Sequence, residues 1–124
     1  MQAVGCRVWA IPEGYIPGSS VSEARDRVSH EAASFLNTGD REAEISIMLF
    51  FKDREPVGPY KIKVGPRRTI HMRFNDLTDP EPVPRDTTYA SLIESNVPIV
   101  VQHTRLDSRQ PAMALLSTMA YPAG

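Results

Sequence analysis

An all-β antiparallel sandwich or jelly roll, in one domain, is predicted for this chain on two observations. Eleven prolines and seven glycines are spread along its 124 residues, and proline breaks a helix by removing a donor and crowding the preceding turn. Between these breakers lie short runs in which apolar and polar residues alternate at period 2, the spacing of a half-buried strand. About eight such runs, at regular spacing, suit a single sandwich covering residues 1–124.

In chain order, Val4 to Ile11 is the first predicted strand, ended by the loop from Pro12 to Gly18. Val28 to Leu36 is the second, and Asn37-Thr38-Gly39-Asp40 after it has strong turn chemistry. Glu44 to Phe51 is the third; Ile45, Ile47, Leu49 and Phe51 share one face while Met48 and Phe50 occupy the other, which places it inside a packed sheet. Tyr60, Ile62 and Val64 alternate with Lys61 and Lys63, giving one apolar and one wet face. After Gly65-Pro66, Ile70, Met72 and Phe74 alternate with Thr69, His71 and Arg73. Pro80, Pro82 and Pro84 make the segment from Asn75 to Thr88 irregular, and a loop of that length in a compact domain is often functional. Tyr89 to Glu94 is read as a strand or one helical turn, and Val97 to Thr104 as a strand. Ala112 to Tyr121 fits helical spacing through Leu115, Leu116 and Met119 and strand spacing through Leu116, Thr118 and Ala120; a strand is favoured because its neighbours are β.

Bulk properties narrow the function. A chain of this length buries roughly two-thirds of its unfolded surface and needs no staple. The single cysteine, Cys6, excludes an internal disulfide and suits a reducing compartment. Trp9, Pro12 and Glu13 interrupt any secretory pattern, and no apolar run approaches the ~18 residues that cross a bilayer. A cytoplasmic location is the expectation. The net charge of −1 disfavours nucleic acid as a partner: Arg67, Arg68 and Arg73 form only a local patch, followed by Asp76, Asp79 and Glu81.

Two stretches bear a shared pattern, His71-Met72-Arg73-Phe74-Asn75 and His103-Thr104-Arg105-Leu106-Asp107. Residues two apart on a strand point to one face, so each copy sets a histidine beside an arginine. The arginine fork takes oxygen acceptors bidentately, which suits an anion or a hydroxyl-rich small molecule. The plain alternative for His71 and Arg73 is an exposed polar strand face. His103 shares parity with Val97, Ile99 and Val101, so it is either a core histidine held by a hydrogen bond or a ligand group. Arg105, Asp107 and Arg109 alternate beyond it and suit an ion-pair ladder or a subunit contact as well as a binding site.

Metal and catalytic readings are weaker. A metal site would draw on His30, His71 and His103 with Glu31 and Glu55, but the position two along the strand holds Arg73 or Arg105, whose cation repels a divalent ion. No serine occupies a Gly-x-Ser-x-Gly turn, Cys6 has no base nearby in sequence, and Glu13, Glu31 and Glu55 are the pool for a glycosidase-type carboxylate pair, though acidic residues in turns are usually just solvated. No cofactor and no enzymatic activity are expected. Trp9 is the only tryptophan; beside the first loop it would stack on a flat ligand or fill the core.

Several segments together resemble a known family. They are Trp9-Ala10-Ile11, Glu13-Gly14-Tyr15-Ile16-Pro17, Ser29-His30-Glu31, Glu55-Pro56-Val57-Gly58-Pro59-Tyr60, Arg73-Phe74-Asn75-Asp76-Leu77 and the long run from Ser95 to Gln110. The chain resembles the sensory rhodopsin transducer family over nearly its whole length, departing in length and composition between Gly18 and Val28. The resemblance implies an all-β sandwich related to carbohydrate-binding folds, a homotetramer, and a non-enzymatic role in small-molecule binding or signal relay. It implies a sugar or related metabolite as ligand, and a sensory rhodopsin at the membrane face as a partner.

The leading expectation is therefore a pocket lined by His30, His71, Arg73, His103 and Arg105, closed at one end by Trp9 and Glu13. The alternatives are an interaction module relaying a signal from a membrane photoreceptor, and a metal-dependent sugar-acting enzyme.

Overall fold

The computed structural model describes residues 2–20, 28–110 and 112–124. Eight strands form the scaffold: β1 (Cys6–Tyr15), β2 (His30–Asn37), β3 (Ala43–Phe50), β4 (Val57–Val64), β5 (Arg68–Arg73), β6 (Thr88–Asp107), β7 (Ala114–Met119) and β8 (Tyr121–Pro122). A short 3-10 turn covers Phe74–Asp76. All strand pairs are antiparallel. The all-β expectation holds, and within the segment with two readings, Ala112 to Tyr121, residues Ala114–Met119 form a strand pairing with the end of β6. The departing segment Gly18 to Val28 falls largely on residues 21–27, outside the described residues.

β6 organises the sheet. Its first half pairs with β3 and β1, in the order β4-β3-β6-β1-β8. Its second half pairs with β2, which continues to β5, and with β7 on the other side. The two elements expected at Tyr89 to Glu94 and Val97 to Thr104 are thus one 20-residue strand serving both halves. The breaker residues between them mark the crossing. The β3 ladder ends at Ser95 and the β2 ladder begins at Val100, so Pro98 lies where neither ladder needs its missing N–H. Asn96 fixes the corner by accepting from the Glu44 amide at 2.7 Å. Trp9 Nε1 donates to Cys6 O at 3.0 Å and Ile99 O at 3.1 Å from inside the bend. Gly5 makes the close approach here: a Cβ would lie 1.9 Å from Ile99 O, and its φ is +110°.

β1 also differs from the sequence expectation. It runs on through Pro12, Glu13 and Gly14 to Tyr15, with a register shift between Ile11 and Gly14. The shift lets proline sit in a strand without breaking its pairing. One apolar cluster joins the two halves, drawing Trp9 and Ile11 from β1, Phe35 from β2, Ile45, Ile47 and Leu49 from β3, and Ile93 and Val101 from β6. Buried side chains of this size each stabilise by about 1.5–3 kcal/mol. The Asn75 to Thr88 segment is packed onto this core through Val83, and Tyr60 donates to Glu81 O at 2.7 Å.

Candidate functional site

Strand parity and register decide which candidate side chains meet. On β2, Glu31, Ala33 and Phe35 point inward and are fully buried. Glu31 pairs with Arg105 and Ala33 with His103, so His103 and Arg105 face the interior beside them. On the other neighbour, Ala32 pairs with Arg73 and Ser34 with His71. His71, Arg73 and His30 therefore occupy the outer face of the same sheet. The pocket expected from all five side chains is divided by the sheet into two groups, back to back.

The inner group is centred on Glu31. A carboxylate removed from water must be paired, and this one is held on both oxygens. Oε1 accepts from His103 Nε2 at 2.5 Å; Oε2 accepts from Arg105 Nε at 2.5 Å and from the Tyr15 amide at 2.9 Å. Arg105 Nη2 also donates to Glu13 O at 3.4 Å. Behind the carboxylate, Asn75 accepts from the Glu31 amide at 3.2 Å and donates to Ser29 O at 3.0 Å. Ser29 and Ser108 close the end of the sheet with an Oγ–Oγ contact of 3.0 Å. Burial first, and then the Glu31 carboxylate, hold the Tyr89 hydroxyl well above the ordinary tyrosine value. The arrangement ties β2 and β6 to the end of β1. His103 is a core histidine held by a hydrogen bond, one of its two sequence readings, and the oxygen-binding capacity of Arg105 is directed at Glu31.

The outer group is chemically different. His71 is exposed and Arg73 half-buried. Ser34 Oγ lies 3.0 Å from His71 Nδ1. His30 is largely buried, and its Nδ1 donates to Val28 O at 2.7 Å. Burial lowers the His30 pKa from 6.5; Arg73 and His71 push it the same way, against the Val28 bond and Glu31. Register places these three basic residues on one face with the Thr104 and Ser34 hydroxyls, and Thr104 Oγ1 lies 3.0 Å from Ser117 Oγ.

The remaining candidates lie elsewhere. Trp9 is buried in the core at the β6 corner, far in register from β5, and closes no pocket with His71 and Arg73. The Glu13 side chain is exposed; its contribution to the inner group is its backbone carbonyl. Of the Arg105-Asp107-Arg109 ladder, only the outer pair forms, with Arg109 Nη2 donating to Asp107 Oδ2 at 2.6 Å, while Arg105 turns to Glu31. Arg109's hydrogen bond holds the Asp107 carboxyl below its ordinary value. The Arg109 guanidinium also lies 5.8 Å from the Tyr15 ring centroid. An open cavity of about 490 Å³ adjoins this pair, lined by Asp107, Arg109, Gln110, Ala112 and Ala114. Among the described residues no group of three metal-ligating side chains converges, and no helix is long and apolar enough to cross a membrane.

Sequence reasoning undervalued Glu31, treating it only as a metal ligand or remote catalytic carboxylate. The signal was present: Glu31 shares parity with Ala33 and Phe35, so an inward carboxylate demanded inward cations.

Comparison with known proteins agrees with this architecture. Residues 4–122 match the family model described as Anabaena sensory rhodopsin transducer. A solved structure of that name, the Anabaena sensory rhodopsin transducer, is 52% identical over 86% of this chain and 100% of its own, with a TM-score of 0.77. A crystal structure of Thermotoga maritima 1070 is 35% identical over 96% of both chains, with a TM-score of 0.85. No curated protein matches. With the match running from Val4 to Pro122, and so through both histidine groups, the chain belongs to the Anabaena sensory rhodopsin transducer family.

Proposed function

We propose that this chain is a non-enzymatic signal-relay domain that binds a small oxygen-rich metabolite, a sugar or sugar acid, on the outer face formed by His30, His71 and Arg73. The observation supporting this reading is the composition of that face: His30, His71 and Arg73 share it with the Ser34 and Thr104 hydroxyls, a set of donors suited to oxygen acceptors. Its relatives' name supports a sensory rhodopsin as the partner, met in the cytoplasm at the membrane surface. The chain works as a homo-oligomer, a tetramer by the resemblance. The β7 edge is the surface suited to a second copy: Leu115 is 71%, Leu116 59% and Met119 54% exposed, and the sequence has no charged side chain from Gln110 to Gly124. Edge strands normally bear charge that blocks pairing.

A thermal-shift panel of sugars and sugar acids tests the ligand reading. At least one compound raises the melting temperature of the wild-type chain and does nothing to Arg73→Ala. No shift for any compound overturns it. Retained binding in Arg73→Ala together with loss on changing the β7 edge favours the second reading, a pure interaction module.

A further inference from the structure

We infer that the cavity where the N-terminal segment, the turn between β2 and β3 and the corner of β6 meet is an oxyanion site, taking a phosphate monoester between Arg7 and Arg41. It shares no lining residue with the outer face of His30, His71 and Arg73, and it stands or falls independently of that reading.

The cavity measures about 280 Å³, and its charged lining residues are Arg7, Asp40 and Arg41. Both arginines are exposed, and neither guanidinium has a hydrogen-bond or ion-pair partner among the described residues. Asp40 is answered by Arg67 Nη1 at 3.0 Å, so its charge occupies neither of them. Glu42 does not line the cavity, nor does Gly124, whose carbonyl accepts from the Arg7 amide at 3.1 Å. Two local features aim the cations into one space. On β1 the register steps from Cys6↔Ile99 to Val8↔Glu94, which sets Arg7 at an irregularity opposite the β6 corner. Irregularities of this kind re-aim a side chain out of the ladder. Arg41 lies on a turn held by the fully buried Asn37, whose Nδ2 donates to Arg41 O at 2.8 Å and Gly65 O at 3.1 Å. Its Oδ1 accepts from the Gly39 amide at 3.0 Å. The Val4 amide donates to Thr38 Oγ1 at 2.8 Å, which ties the N-terminal segment to the same turn. A site braced in this way is organised before its guest arrives, which lowers the cost of binding. A phosphate monoester carries about −1.5 to −2 charge near pH 7 and three strong acceptor oxygens. It can therefore engage both guanidinium forks at once, where a carboxylate has one charge and two oxygens to share. Val97 and Pro98 add apolar lining, against which a short carbon chain on the ester can lie.

Calorimetry on the full chain at about pH 8, where the monoester is a dianion, tests this with glycerol 3-phosphate, inorganic phosphate, acetate and glycerol. Both phosphates bind, acetate binds more weakly by about tenfold, and glycerol does not bind. Arg7→Gln and Arg41→Gln each weaken phosphate binding by about tenfold, the loss of one charge-assisted hydrogen bond. Arg68→Gln, outside the cavity, leaves it unchanged, and Asp40→Asn tightens it by removing a like charge from the rim. An equal loss in Arg68→Gln reveals diffuse surface attraction and overturns the site, as does unchanged affinity in Arg7→Gln and Arg41→Gln. Acetate binding as tightly as phosphate overturns the phosphate class. If a variant does not fold, the Nε–H resonances of Arg7 and Arg41 in the wild-type chain decide instead: they move on adding phosphate, and fixed resonances overturn the inference. Co-sedimentation with vesicles of phosphatidic acid or of phosphatidylcholine separates the two sources of a phosphate monoester. Binding of glycerol 3-phosphate supports the site with a free ester as guest. Binding confined to phosphatidic acid, and lost in Arg7→Gln and Arg41→Gln, supports it with a lipid headgroup as guest. No binding of phosphate in any of these forms overturns it.

Discussion

Glu31 concentrates the greatest energetic risk in one side chain, since it is fully buried and holds two basic partners. Removing one member of a buried ion pair costs about 3–5 kcal/mol. Arg105 keeps 28% of its side chain in contact with solvent, which lowers the penalty for stranding it. Glu31→Gln is expected to lose roughly 3 kcal/mol, at the low end of that range, measured as a shift of the urea midpoint. A loss near zero contradicts the pairing. His30 gives a second prediction, on the apo protein. Its folded pKa lies below 6.5, so the unfolded chain binds the proton first as the pH drops. Stability therefore falls as the pH passes below 6.5 and levels off below the folded value. His30→Asn removes that part of the slope in denaturation curves taken between pH 7 and pH 5.

At the scale of elements, the corner of β6 depends on backbone approach that no side chain can share. Gly5→Ala places a Cβ 1.9 Å from Ile99 O at a φ of +110°, and destabilises by more than ~1 kcal/mol in thermal or chemical unfolding. Most strands were legible because residues alternate in burial as the period-2 pattern requires: Tyr60-Lys61-Ile62-Lys63-Val64 does so in chemistry as well, and on β3 Ile45, Ile47 and Leu49 are the buried set. The corner was not, because Asn96-Val97-Pro98 has the local chemistry of a break, and only the offset of two ladders makes it a crossing. The same holds for the site. Inward parity of His103 and outward parity of His71 can each be read from their own strands. That they are back to back follows only once β2 is known to lie between β5 and β6. Family resemblance supplied the whole-chain identity that alternation alone does not.

For the whole molecule, the β7 edge, uncharged in sequence, is the surface proposed above for contact between copies. Leu116→Lys places a charge on an exposed strand without touching the core. It is expected to leave the monomer fold intact by circular dichroism while shifting the mass by light scattering from oligomer to monomer. An unchanged mass contradicts the edge as the contact between copies. Chemical-shift mapping of the backbone amides during a glucuronate titration tests the division of inner and outer groups most directly. Perturbations clustered on Ser34, His71 and Arg73, with His103 and Arg105 unmoved, are the predicted result; perturbations centred on His103 and Arg105 contradict it.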